Sequence, residues 1–263
     1  MYAVEYQRAK SVADAAAALA KSGGKALAGG QSLVGAMKLR LANPGTVVDL
    51  SGIAELKGIK KEGDAIVIGA LTTHAEVASS SIVKQAIPAL AALAEGIGDR
   101  QVRNRGTLGG SIANSDPAAD YPAAVMGLNA AVQTNKRRIA ADDFFKGLYE
   151  TALASDEIVT AVRFPIPKKA AYVKFPQPAS RFALVGVFVA QTGSGVRVGV
   201  TGAAAHAHRC KPIEEALAKS FTPDAAKNVK IPATNLNNDL HGSAEYRAHL
   251  VSVLAGRAVA AIV

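Results

Sequence analysis

The spacing of apolar positions changes several times along the chain, and each change predicts an element. An alanine-rich helical run over residues 12–21 follows Ser11, carries Asp14 in its first turn and meets Gly23-Gly24 at its end, which is the order of cap, first turn and stop. A short apolar strand at 26–28 runs into Gly29-Gly30-Gln31-Ser32, and a helix is predicted from Leu33 to Leu41, closed by Asn43-Pro44. Residues 46–50 read as a second buried strand, and 56–59 with 65–69 as a hairpin around Glu62-Gly63-Asp64. Val83, Ile87, Leu90 and Ala94 share one face of a helix that Pro88 kinks. Residues 98–111 are polar and glycine-rich, a long predicted loop, and Asp116-Pro117 opens the next helix.

Strand-like segments at 131–134 and 158–164 lead to Pro165-Ile166-Pro167 and Lys168-Lys169, the best boundary in the sequence. Beyond it, 171–175, 184–190 and 196–201 alternate as strands, with Gly193-Ser194-Gly195 turning between the last two. Helices are predicted at 213–218, at 223–228 after the Thr222 cap, and at 244–262 after Ser243. The class is therefore α+β in two parts, the second being strands followed by helices.

Composition narrows the function. A chain of 263 residues with 49% hydrophobic and 19% charged residues is globular, not disordered. One cysteine excludes a disulfide framework, a cysteine zinc site and an iron–sulfur cluster held by this chain alone. No uncharged run reaches the ~18 apolar residues of a membrane helix. Glu5, Arg8 and Lys10 interrupt any secretory signal, so a soluble intracellular protein is expected. The net charge of +9 is spread over small groups such as Arg100/Arg103/Arg105 and Lys136-Arg137-Arg138, with only 5% aromatics, which leaves no stacking surface for nucleic acid.

The standard nucleotide and hydrolase signatures are absent: Gly193-Ser194-Gly195 sits in a hairpin, and no Walker loop or nucleophile elbow occurs. His206, His208 and Cys210 would share a face if extended, but the stretch reads as an irregular turn with no fourth ligand. Two glycine pairs carry more. In Ala28-Gly29-Gly30-Gln31-Ser32-Leu33 a strand ends in two residues without Cβ and a helix begins, so successive N–H groups can face a phosphate. Thr107-Leu108-Gly109-Gly110-Ser111 repeats the design, and two such loops suggest opposite walls for a pyrophosphate.

These motifs resemble the FAD-binding medium subunit of the molybdenum hydroxylases, the family of xanthine dehydrogenase and aerobic carbon monoxide dehydrogenase. Ala28 to Leu33 with Met37-Lys38-Leu39-Arg40-Leu41 is similar to the family's first pyrophosphate loop and helix. Thr107 to Ser111, continuing through Asn114 to Asp120, is similar to its second, and His241-Gly242-Ser243-Ala244-Glu245-Tyr246-Arg247 to the start of its last helix. The resemblance covers essentially the whole chain. It implies an FAD-binding domain of the vanillyl-alcohol-oxidase/PCMH type over residues 1–167, split near 52–56, and a C-terminal domain over 168–263 with a three-stranded antiparallel sheet and helices. By position it places Asp120 on the adenosine, Ile97 on the adenine, Val159 over the isoalloxazine and Lys174 at the flavin edge. Val34-Gly35-Ala36 departs from the Leu-Pro of many relatives and loosens the helix start.

The resemblance also implies what the chain lacks. A large partner would hold molybdopterin, a small one two [2Fe–2S] clusters, in a dimer of heterotrimers; no catalytic and no metal-binding residue is expected on this chain. A cytoplasmic complex is expected, with partners as its only route to the inner face of the membrane. Two rivals are a self-contained flavin oxidase, for which no acid–base cluster is present after the boundary, and a basic binding module without cofactor.

Overall fold

The computed structural model describes residues 1–262. Three sheets of three or more strands follow one another along the chain, and a two-stranded ribbon, Phe145–Gly147 with Glu150–Thr151, stands beside them. The first is parallel, with Thr46–Asp49 between Glu5–Arg8 and Lys25–Leu27. Its middle strand is buried throughout, as a strand covered on both faces must be. Helix Val12–Ser22 covers it, with the Ser11 hydroxyl accepting from Asp14 N at 3.1 Å and Gly23 at φ +61° ending it. Ala15, Leu19, Val48, Leu50 and Ile53 form this core, and Leu71 and Ile158 join it from far along the chain.

The second sheet is antiparallel, in the order Ile59–Glu62, Ala65–Gly69, Val159–Pro165, Ala131–Thr134, Arg138–Ala140. Helices His74–Ser79, Ser81–Ala86 and Pro88–Glu95 share one apolar core with it. The predicted stripe is fully buried at Val83, Ile87, Leu90 and Ala94, and Pro88 separates two helices instead of bending one. Two expectations are corrected here. The long loop contains helices Arg100–Arg105 and Leu108–Asn114, begun by the Asp99 and Thr107 side chains as caps. Asp116-Pro117 opens a turn, and the helix that follows is Tyr121–Gly127.

The third sheet pairs Lys169–Pro176, Ala183–Thr192 and Gly195–Thr201 antiparallel, and a fourth short strand, His208–Arg209, extends the expected three. Helices Lys211–Lys219, Pro223–Lys227 and Ala244–Ala261 follow, the last two started by the Thr222 and Ser243 caps. Helix Tyr121–Gly127 is pressed onto this sheet. A Cβ on Gly199 would stand 2.1 Å from Ala123 O, and one on Gly127 2.8 Å from the Phe188 ring. Arg197 Nε donates to Met126 O at 2.9 Å, and Thr201 Oγ1 to Ala119 O at 2.6 Å. Phe188 and Ala190 consequently belong to the core of the second sheet although they stand on the third. Among the described residues no helix is long and apolar enough to cross a membrane.

Phe188 joins two sheets and is completely buried. Phe188→Ala should therefore destabilise the fold by about 3–5 kcal/mol. Gly195→Ala, at φ +119° in an open hairpin, should lower it by only about 1 kcal/mol. Denaturant midpoints at constant m-value check the ranking.

Candidate functional site

The first glycine pair leaves strand Lys25–Leu27 and enters helix Leu33–Lys38. Gly30 adopts φ +75°, a left-handed conformation that strains any side chain. Among the described residues no acceptor takes the backbone N–H of Gly29, Gly30, Gln31 or Ser32, and the Ser32 hydroxyl makes no capping bond. Ala28, Gly29, Gly30 and Leu33 are half-buried; Gln31 and Ser32 are exposed. The loop is thus an accessible row of free donors, the arrangement that binds anionic oxygens.

The second pair is built differently. Gly110 N donates to Thr107 Oγ1 at 3.2 Å, and Gly109 N to Ala70 O at 2.8 Å, so both N–H groups have partners within the protein. Gly109 is glycine because of packing: a Cβ there would stand 2.5 Å from Ala70 Cβ. Gly110 has only the Thr107 hydroxyl at 2.8 Å and Ala28 Cβ at 3.5 Å. Ser111 and Asn114 are half-buried on the same helix.

The two loops meet. A Cβ on Gly29 would lie 2.0 Å from Arg105 O and 2.8 Å from Gly106 Cα, so the first loop is laid backbone to backbone on the residues that precede the second. Ala70 then ties the second loop to the central strand, its N donating to Thr160 O at 2.9 Å, next to the buried Val159.

A second group of expected residues gathers at the seam between the second and third sheets. Lys174 Nζ reaches Asp120 Oδ1 at 3.0 Å, Gly96 O at 2.9 Å and Arg181 O at 2.8 Å. Asp120 does not cap its helix; its carboxylate, 4% exposed, instead takes the Tyr172 hydroxyl at 2.6 Å. Burial pushes the Asp120 carboxyl up, opposed by Lys174 and Tyr172. Ile97 packs on the large core beside this group, and its carbonyl accepts from Arg103 Nη1 at 3.0 Å. Arg181 Nη1 donates to Gly98 O at 3.2 Å. Three cationic side chains therefore grip the turn at 96–98. Tyr172, Arg103 and Arg181 were not singled out from the sequence. The alternation of a strand puts Tyr172 on the face of Lys174, a signal that was available.

Behind the second loop, His74 N donates to Gly106 O at 3.0 Å, and the imidazole fills the space a Gly106 side chain would need, with Nε2 2.5 Å from the ideal Cβ. Its ring lies 5.3 Å from that of Tyr121. Burial, and to a lesser degree Arg103, pushes the imidazole down to about 4. His206, His208 and Cys210 do not assemble: among the described residues no three His, Cys, Asp or Glu side chains gather as for a metal. His208 pairs in the third sheet, and the Cys210 thiol is buried and pushed up to about 11.

Residues 2–167 match the family described as the FAD binding domain in molybdopterin dehydrogenase. The chain is 36% identical over 272 residues to the nicotine 6-hydroxylase medium subunit of Paenarthrobacter nicotinovorans, covering 98% of this chain and 96% of that one. It is 37% identical over 273 residues to the carbon monoxide dehydrogenase medium chain of Hydrogenophaga pseudoflava, covering 97% and 95%. Its fold is similar to a solved structure of the Hydrogenophaga pseudoflava carbon monoxide dehydrogenase lacking the Mo-pyranopterin moiety, at TM-score 0.90 and 36% identity over 99% of this chain and 97% of that one. Quinoline 2-oxidoreductase from Pseudomonas putida 86 matches at TM-score 0.89 and 27% identity, over 99% and 97%.

His74 sets an acid limit on the loop it supports. An imidazole that takes a proton near pH 6.5 unfolded and only near 4 folded favours the unfolded chain as pH falls between those values. Stability should drop by on the order of 3 kcal/mol over that window. His74→Gln should flatten this slope, and urea unfolding at several pH values measures it.

Proposed function

This chain belongs to the family of FAD-binding domains of molybdopterin dehydrogenases, and on that premise we propose that it is the electron-transfer subunit of a heteromeric molybdenum hydroxylase. The observation that carries the reading is the first loop: four backbone donors without acceptors, a left-handed Gly30, and the second loop laid against it. These residues fit a dinucleotide cofactor. The row 29–32 would hold pyrophosphate oxygens, and Gly110, facing Ala28, leaves the wall between the loops without a side chain. Thr107, Gly109, Ser111 and Asn114 would shape the opposite wall. The resemblance sets Asp120 on the adenosine and Lys174 at the flavin edge, but the two form one ion pair, so they would instead meet the same part of the cofactor, with Ile97 packed beside them and Val159 in the wall behind.

When bound, FAD supplies the redox chemistry, receiving electrons and passing them to an external acceptor. The chain's own residues bind, orient and neutralise charge; no general base or nucleophile is assigned to them. Electrons would arrive from two [2Fe–2S] clusters of a small partner subunit, fed by molybdopterin on a large one, in a dimer of heterotrimers. Substrate would be met on the large subunit, in the cytoplasm. Residues 1–167 would form the FAD domain and 168–263 the C-terminal domain.

A self-contained flavin oxidase would transform a substrate unaided. In the partner reading, the isolated FAD-loaded chain should be bleached by dithionite and not by substrates of the related complexes, and stopped-flow absorbance measures both; rapid substrate bleaching would sink the reading. The loops make a second prediction. Gly30→Val, which strains the row of free donors, and Gly110→Ala, which puts a methyl group on the wall facing Ala28, should retain a native circular-dichroism spectrum yet each carry at least about tenfold less flavin per protein, the equivalent of about 1.4 kcal/mol of binding. Parental flavin-to-protein absorbance ratios in both would make the loops ordinary turns.

A further inference from the structure

Asp120 is a buried carboxylate in the seam between two sheets, and such a group is tolerated only when partners satisfy it. Its two protein partners differ in kind. Lys174 brings charge; Tyr172 brings a neutral hydroxyl at 2.6 Å. The ammonium has three donors, and Asp120 Oδ1, Gly96 O and Arg181 O take all three, so its position is set by a complete shell. The phenol is seated with equal care. Its ring stacks on Phe188, centroids 6.2 Å apart and planes 29° from parallel. Its hydroxyl lies over Gly186 on the neighbouring strand, where a Cβ would stand 2.3 Å from the phenolic oxygen. Glycine at 186 is thus a notch that lets the phenol reach across the strand to Asp120.

We propose that Tyr172, seated in the notch left by Gly186, is a positioning residue of the flavin site, holding the Asp120 carboxylate in the orientation that fixes the Lys174 ammonium. The proposal rests on the reading that Asp120 and Lys174 meet FAD; Tyr172 acts through them. The groups facing Asp120 are Lys174 and Tyr172 from strand Lys169–Pro176 and Tyr121 from its own helix. With the hydroxyl removed, burial is opposed only by Lys174 and the Asp120 backbone N–H, and Asp120 takes a proton at higher pH than in the parent.

The full chain, titrated with FAD by flavin fluorescence between about pH 4 and about pH 8, a range spanning ordinary carboxylate and imidazole titration, tests this. Tyr172→Phe should weaken FAD roughly tenfold at neutral pH and move the acid limb of the affinity profile upward. Gly186→Ala, which displaces the hydroxyl by a different route, should reproduce both changes. A purely packing role for Tyr172 would lower melting temperature without moving the acid limb, and that result overturns the proposal. So does parental affinity and pH profile in Tyr172→Phe alongside FAD loss in Asp120→Ala and Lys174→Ala, an outcome that leaves the site reading intact. If Asp120→Ala and Lys174→Ala both keep parental affinity, the underlying reading fails and the proposal with it.

Discussion

The close approach of helix Tyr121–Gly127 to the third sheet is the constraint from which the rest of the site follows. Seven residues are too few to hold a helix in water, and this one is buried from end to end. It exists because both neighbours demand it. The second sheet's core takes one side, while Gly127 and Gly199 let the backbone of the other side lie directly on strands of the third. Asp120 stands at its first turn, so the carboxylate is fixed by tertiary contact before any side-chain bond is made. Lys174, and the turn at 96–98 that Lys174 grips, then have one place to be.

Glycine does three different things in the two loops. At Gly29 and Gly109 it permits backbone to meet a neighbour at distances no Cβ allows. At Gly30 it permits a left-handed turn. At Gly110 it clears the Thr107 hydroxyl, 2.8 Å from where a Cβ would stand, and leaves the side toward Ala28 without a side chain. Only the last two roles leave something for a ligand to use, and the free donors cluster around Gly30 alone. The pair of loops is therefore asymmetric: one offers hydrogen bonds, the other shape.

The sequence was most legible where structure is local. Ser11, Thr222 and Ser243 cap the helices their positions announced, because a cap is a contact over three residues. The stretch 98–111 was misread as loop since its polarity and glycines masked two more caps, Asp99 and Thr107, of the same kind. Strand order was not legible; nothing local says that residues 159–165 enter between 65–69 and 131–134. Nor was the fourth strand at His208–Arg209, too short to carry a period. Both glycine pairs could be singled out as loops, but their contact could not, since it joins residues about 76 apart. Strand alternation makes legible that Tyr172 shares the face of Lys174, but not the notch that seats its hydroxyl, since that is a glycine fourteen positions later on another strand.

The meeting of Gly29 with Arg105 has a consequence for the order in which the molecule is made. A nascent chain that has just delivered its first loop has the donors but not the surface they rest on. That surface arrives with residue 105, and the Asp120–Lys174 pair only after another 69 residues have been added. During synthesis the early glycine loop is thus a fragment without a floor, and the seam that Asp120 and Lys174 pin is incomplete until two-thirds of the chain has been made. On the proposed reading of that pair, cofactor capture falls to the late part of translation or to the released polypeptide.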